Sequence, residues 1–140
     1  MALVLPNQGL PDLLTWLLKS TSPAPPDLVF TLFFNDLTPT QATVLADLDR
    51  VGFGGFQEQV LNRSGWTVPV IVSDQAVSTW GVAPTEWTVA SDPLTVYGWA
   101  AYIASSLRLV IVERFDVPRP LAVGDILGLL PRFTLTTAPS

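Results

Sequence analysis

The stretch that decides the fold runs from Thr95 to Phe115 and reads TVYGWAAYIASSLRLVIVERF. Its β-branched and aromatic residues predict two strands, Thr95–Ala104 and Leu107–Phe115, which a turn at Ala104-Ser105-Ser106 joins as a hairpin. In the second strand, apolar residues occupy both alternating sets of positions, so neither face is cleanly polar.

The segments outside this hairpin predict more strands. Leu28–Asn35 (LVFTLFFN) is apolar on both faces and is therefore expected at the centre of a sheet. Pro69 indicates an edge strand or a bulge. Shorter alternating segments are Gln57–Arg63, Thr67–Ser73, Ala76–Trp80, Glu86–Ala90, Ile126–Leu130 and Arg132–Thr136. About eight strands with turn signals every 8–12 residues or so predict a mainly β fold, an antiparallel β-sandwich or jelly roll.

Helical signals are confined to the first fifty residues. Leucines at 10, 13, 14, 17 and 18 form one apolar stripe, which predicts an amphipathic helix over Leu10–Ser20. Thr38-Pro39 has the form of a helix start, so a second short helix is expected through Val44 and Leu48 to Arg50. We therefore predict one or two short helices beside the β domain.

The chain divides at a proline-rich segment, Ser20–Asp27, which has the composition of an extended linker. Residues 1–27 are expected to form an N-terminal arm, the amphipathic helix and this linker, and residues 28–140 the β-sandwich domain. The N-terminus lacks the positive region of a signal peptide, so none is expected.

Composition weighs against catalysis and against several kinds of partner. The 140 residues include no histidine and no cysteine, which removes the usual general base, the thiol nucleophile and the commonest metal ligands. We therefore expect no enzyme activity, no cofactor and no metal. A net charge of −5 with seven scattered basic residues disfavours binding to nucleic acid and to anionic membranes. Only 14% of the residues are charged, against about 25% in ordinary soluble domains.

Two sets of residues keep other functions open. Glu86 and Glu113 are the acids set among aromatic or apolar strand residues, and a glycan hydrolase would use one of them. Tryptophans stack on sugars, so a carbohydrate site on Trp80, Trp87 or Trp99 is the second possibility. Packing in a β-sandwich core is the ordinary explanation for most of these tryptophans.

Several short motifs resemble those of small virion proteins of tailed bacteriophages, and the resemblance spans most of the chain. The motifs are Leu3–Asn7 before a leucine-rich helix, Phe34–Asp36 followed by Thr38-Pro39, Val96–Trp99, Leu109 through Glu113–Phe115, Pro118-Arg119, Gly124-Asp125 and Pro131–Leu135. The resemblance brings no catalytic residues with it. It implies a structural component of a virion, made in the host cytoplasm and present in many copies.

Within that class we expect a capsid decoration (cement) protein on the capsid surface, which forms a homotrimer and binds the major capsid protein. An apolar arm, a helix and a spacer ahead of a β domain suit a protein that clamps neighbouring subunits. The residues expected in the interface are Leu3, Val4, Leu5, Leu10, Leu13, Leu14, Trp16 and Leu17. Alternatively, the helix covers the chain's own core, or Trp16 packs on the edge of its own domain. A tail or fibre attachment protein with a carbohydrate-binding surface is the alternative function.

Overall fold

The structure is a computed structural model that describes residues 3–18 and 26–136, apart from the side chains of Leu17 and Thr136. The predicted linker therefore lies mostly outside the described residues. Strands account for 45% of the structure and helix for 11%, so the mainly β prediction is confirmed. The elements are α1 (Leu10–Leu18), β1 (Leu28–Phe33), β2 (Gln59–Leu61), β3 (Val70–Val72), β4 (Gln75–Thr79), β5 (Thr85–Thr88), β6 (Thr95–Ile103), β7 (Arg108–Pro120), β8 (Ile126–Leu129) and β9 (Arg132–Thr136).

All strand pairs in the three sheets are antiparallel. The largest sheet has the order β2-β1-β6-β7, and the others are β3-β4-β9 and β5-β8. The predicted central strand is confirmed, since β1 lies between β2 and β6. Sheets of four, three and two strands do not reproduce the two four-stranded sheets of a jelly roll, so that variant is not confirmed.

The predicted hairpin is the longest pairing in the fold, with its turn at residues 104–107. Strand β7 does not keep a strict two-residue alternation, because the register shifts at Val110. After this bulge, Ile111 lies on the same face as Val110, whereas Leu109 and Val112 lie on the other. The shift explains why the sequence shows no polar face in this strand.

Both faces of the four-stranded sheet are covered. One face carries Phe30 and Leu32, which pack with Trp87 and Leu127 of the β5-β8 sheet. The layering of one sheet on another agrees with a β-sandwich. The opposite face, which includes Phe33, is covered by the loop that follows β1.

That covering loop corrects the second predicted helix. Residues 36–50 contain only a single 3₁₀ turn, Leu45–Asp47, whose Leu45 is buried against the sheet. The Asn35 side chain bonds the loop's backbone from outside, donating to the Asp47 carbonyl and accepting from the Asp49 N–H, both at 2.9 Å. Asp47 accepts from the Val44 N–H at 2.9 Å. These side-chain bonds replace the helical ones, so an open loop forms where Thr38-Pro39 predicted a helix.

Candidate interaction surfaces

The N-terminal arm lies along the outer edge of β7. Val4 and Val112 exchange two backbone hydrogen bonds, of 2.8 and 3.0 Å. The Gln8 side chain accepts a hydrogen bond of 2.6 Å from the Leu109 N–H, and Arg108 donates to the Gln8 carbonyl at 2.8 Å. The arm thus covers an edge that would otherwise present unpaired backbone groups.

Close approach of the arm to β7 depends on Gly9. A Cβ at this position would lie 2.7 Å from the Leu109 carbonyl oxygen and 2.9 Å from Val110 Cα. Both atoms belong to the backbone of β7 and cannot move aside, so only glycine fits. Asp12, in the first turn of α1, forms an ion pair with Arg108 at 3.2 Å. Arm and helix are therefore held on the same strand.

The predicted interface residues separate into two groups in this arrangement. Those packed against the chain's own core are Leu3, Val4, Leu5, Leu13 and Trp16. Leu10 is half-buried, and the Leu17 side chain lies outside the described residues. Leu14 and Leu18, one turn apart, are 57% and 73% exposed. The helix therefore presents a short apolar face to the outside as well as one to the core.

A groove runs between α1 and the β domain. Its volume is about 260 Å³, and its walls are almost wholly apolar. Leu13 and Trp16 line it from the helix, and Trp66 and Phe133 from the β domain. Since α1 supplies one wall, the groove is a gap in the packing between the helix and the sheets of the same chain.

The β3 strand is the most exposed apolar element among the described residues. Val70, Ile71 and Val72 are 56%, 73% and 49% exposed, and Val68 just before them is 83% exposed. Among the residues that the structure describes, the strand pairs with β4 on one side only, which leaves its other edge open. The edge strand predicted from Pro69 is thus confirmed. This strand was not among the predicted interface residues, although the run Val-Pro-Val-Ile-Val contains no charge.

The tryptophans considered for a carbohydrate site differ in exposure. Trp87 is 5% exposed and stacks on Phe30 with the ring centres 5.8 Å apart. Trp99 is 6% exposed and packs 5.3 Å from the same ring. Trp80 is half-buried and donates its indole N–H to the Asn62 carbonyl at 2.9 Å. Trp87 and Trp99 are thus core residues and do not offer open faces for stacking.

Glu113 nevertheless lines a cavity of about 280 Å³ beside Trp99. Phe30 and Phe115 form further aromatic walls, and Arg132 adds a positive charge. Burial raises the pKa of Glu113, while a hydrogen bond with the Trp99 side chain and the charge of Arg132 oppose that rise. The other candidate acid, Glu86, is exposed on β5, and the structure does not place it in this cavity.

A second polar cluster joins β6 to the loop before β2. The Tyr102 hydroxyl donates to Glu58 at 2.5 Å, and Arg50 donates to both the Glu58 carboxylate and the Tyr102 oxygen at 3.1 Å. Burial is the main cause that raises the pKa of Tyr102 from 10.0 to about 12. The hydrogen bond to Glu58 and the negative charge of Glu58 raise it further. The phenol therefore stays protonated and holds the loop on the sheet.

Within residues 3–18 and 26–136, no group of three or more acidic side chains is arranged to hold a metal ion. The helix in this part of the chain is too short to cross a membrane. The chain matches none of the models of known protein families, and no curated protein shows significant sequence similarity to it.

Proposed function

We propose that the protein is a structural virion protein, a capsid decoration protein that forms oligomers and stabilises the shell through contacts between subunits. The observation that carries this proposal is the distribution of exposed aliphatic side chains. They lie on regular elements of the fold, at Leu14 and Leu18 of α1 and at Val70–Val72 of β3, and not only in loops. With 14% charged residues in the whole chain, such surfaces favour permanent burial against other subunits.

Two separate surfaces give the proposal its geometry. The outer face of α1 is suited to a capsid subunit, because Leu14 and Leu18 project from a helix that is itself anchored to β7 by the arm. The open edge of β3 is suited to oligomer formation. A decoration protein needs both kinds of contact, since it binds the shell and joins its own copies across it.

The test uses capsids of the phage that encodes the chain, prepared without it, and the purified protein. The double substitution Leu14→Ser, Leu18→Ser should weaken binding to the capsid, because burial of a leucine contributes about 1.5–3 kcal/mol, or roughly tenfold in affinity or more. Val82→Ser is the matched control, since Val82 is 93% exposed and lies in the segment between β4 and β5. Equal occupancy by the wild type and the double variant would show that α1 is not the capsid contact.

Location on the particle provides an independent test. Virions are separated into capsids and tails, and the copy number of the chain is measured in each fraction by quantitative mass spectrometry. We expect copies in a fixed ratio to the major capsid protein and none in the tail fraction. Recovery only with tails would contradict the decoration function.

A tail or fibre attachment protein is the second candidate, and the Glu113 cavity is the observation that favours it. The side chains of Glu113, Arg132 and Thr134 offer polar groups to a sugar at a cavity with aromatic walls. Binding on a glycan array that is lost in Arg132→Gln and retained in Arg63→Gln would support this candidate. Arg63 is a matched control because it is exposed between β2 and β3 and does not line the cavity.

A further inference from the structure

The open edge of β3 is self-complementary. We propose that β3 pairs antiparallel with β3 of a second copy of this chain, about a twofold axis centred on Ile71, so that the two β3-β4-β9 sheets become one sheet of six strands. The inference rests on the proposed function in one respect, because it names the partner for the oligomer formation proposed above. It gives a dimer where a homotrimer was expected from the sequence.

Backbone geometry sets the register. β3 and β4 are joined by a two-residue turn, Ser73-Asp74, whose φ values of 49° and 63° are those of a type I′ hairpin. Such a hairpin closes on a hydrogen-bonded pair, here Val72 and Gln75. Because pairs alternate along an antiparallel ladder, the N–H and C=O of Ile71 point away from β4 to the open edge.

Pro69 limits the length of the pairing. It lies two residues before Ile71, on the same outward side, and it has no N–H to donate. With the axis at Ile71, the two Ile71 residues exchange both hydrogen bonds, and Pro69 faces Ser73 of the second copy with a carbonyl only. The ladder is therefore complete at Ile71 and weaker at each end.

The side chains match across the same axis. Ile71, Ala76 and Leu135 are cross-strand neighbours on one face of the sheet, and Ile71 and Leu135 are 73% and 53% exposed. Pairing of two copies would extend this apolar row without interruption across six strands. On the other face, Val70 would lie opposite Val72 of the second copy, a pair of β-branched residues that suits a sheet.

Charge permits a second copy at this edge, although it opposes contact over the rest of the surface. Each chain carries a net charge of −5, so two copies repel each other over most of their surface. Residues 64–73 contain no charged side chain, and in the proposed register Asp74 lies opposite Val68, so no two like charges meet. The contact is small, so we expect a dimer that forms at micromolar concentrations and is reinforced where a shell carries many copies.

Disulfide trapping in the purified chain tests the proposal, because the protein has no cysteine of its own. Across a hydrogen-bonded antiparallel pair the Cα atoms are about 5.5 Å apart, which a disulfide can bridge. Ile71→Cys should therefore give a covalent dimer on mild oxidation. Val60→Cys is the matched control, since Val60 is 55% exposed on β2, the edge of the other large sheet, and it should remain monomeric.

Native mass spectrometry supplies the second measurement. The wild type at tens of micromolar should show two chains of 15.2 kDa, whereas Ile71→Lys should be monomeric with an unchanged circular dichroism spectrum. A wild-type monomer, a trimer, or Val60→Cys cross-linking as fast as Ile71→Cys would overturn the proposal. Since no capsid is present, these outcomes are independent of whether the chain binds one.

Discussion

The four-stranded sheet and the β3-β4-β9 sheet lie in one chain but differ in what covers them. The first has a layer on each face, and the N-terminal arm pairs with its β7 edge. The second has an uncovered edge strand with three exposed β-branched residues. Within residues 3–18 and 26–136, the arm protects an edge of the first sheet, and no segment pairs with the outer edge of β3 in the second. The difference indicates that one sheet supplies stability and the other is available for contacts.

The contrast between the two sheets is tested most directly by truncating one apolar residue in each. Phe30→Ala removes a fully buried ring that packs against Trp87 and Trp99, and it should lower the free energy of unfolding by about 3–5 kcal/mol. Ile71→Ala, measured in dilute protein, should lower it by about 0.5 kcal/mol or less, because the side chain is already exposed. Urea denaturation gives both values, and equal losses would remove the distinction between the sheets.

The arm provides the next largest effect. Val4→Pro removes the N–H that donates to the Val112 carbonyl, so the free energy of unfolding should fall by about 1–3 kcal/mol. Hydrogen exchange at the Val112 amide should accelerate as the β7 edge opens. Val4→Ala keeps both backbone bonds and serves as the control. If the proline variant is no less stable than the alanine variant, the arm does not protect this edge.

The Tyr102 cluster tests the loop that covers the outer face of the first sheet. Tyr102→Phe should cost about 1–2 kcal/mol, because it removes the hydrogen bond to Glu58 and leaves the buried ring in place. The pKa of Tyr102 is raised because the folded state holds the phenol proton more tightly than the unfolded state does. The stabilisation is therefore complete below pH 10.0 and is lost as the pH rises through about 12.

Phenolate absorbance during alkaline titration measures the Tyr102 effect directly. The difference between the wild type and Tyr102→Phe isolates this residue from Tyr97, the other tyrosine. A difference curve with its midpoint at pH 10.0 would contradict the hydrogen-bonded, buried phenol.

The smallest effect is expected at the β3–β4 turn. Asp74 has a φ of 63°, a conformation that strains a residue with a side chain by about 1 kcal/mol, and glycine removes that strain. The greater freedom of glycine in the unfolded chain offsets part of the gain, so Asp74→Gly should stabilise the protein by about 0.5 kcal/mol. Asp74→Asn is the control that retains a side chain. Thermal unfolding measures the change, and a loss of stability in the glycine variant would argue against the type I′ turn.

Local signals in the sequence were sufficient for part of this fold. Aromatic and β-branched runs located β1, β6 and β7, and Pro69 located an edge strand. The loop over residues 36–50 was predicted wrongly, because Asn35 satisfies its backbone from outside the segment. The β7 bulge was missed for a related reason, since a register shift depends on the partner strand.

The candidate surfaces were harder to predict than the strands. The leucine stripe indicated an apolar helix face but not its division between Leu13, on the core, and Leu14, exposed to the outside. The exposure of β3 depends on which strands pair with it, and no single segment determines that. The strand with which the arm pairs could not be predicted from local sequence either, because it lies more than a hundred residues later in the chain.

The pairing of Val4 with Val112 has a consequence during synthesis. The arm leaves the ribosome more than a hundred residues before the strand that receives it. Until then β7 does not exist, and the arm has no partner. A contact of such long sequence range forms late and slowly, so closure of the β7 edge should be a final step of folding. A bulky fusion at the N-terminus would interfere with this step, whereas one at the C-terminus would leave the arm free to find its strand.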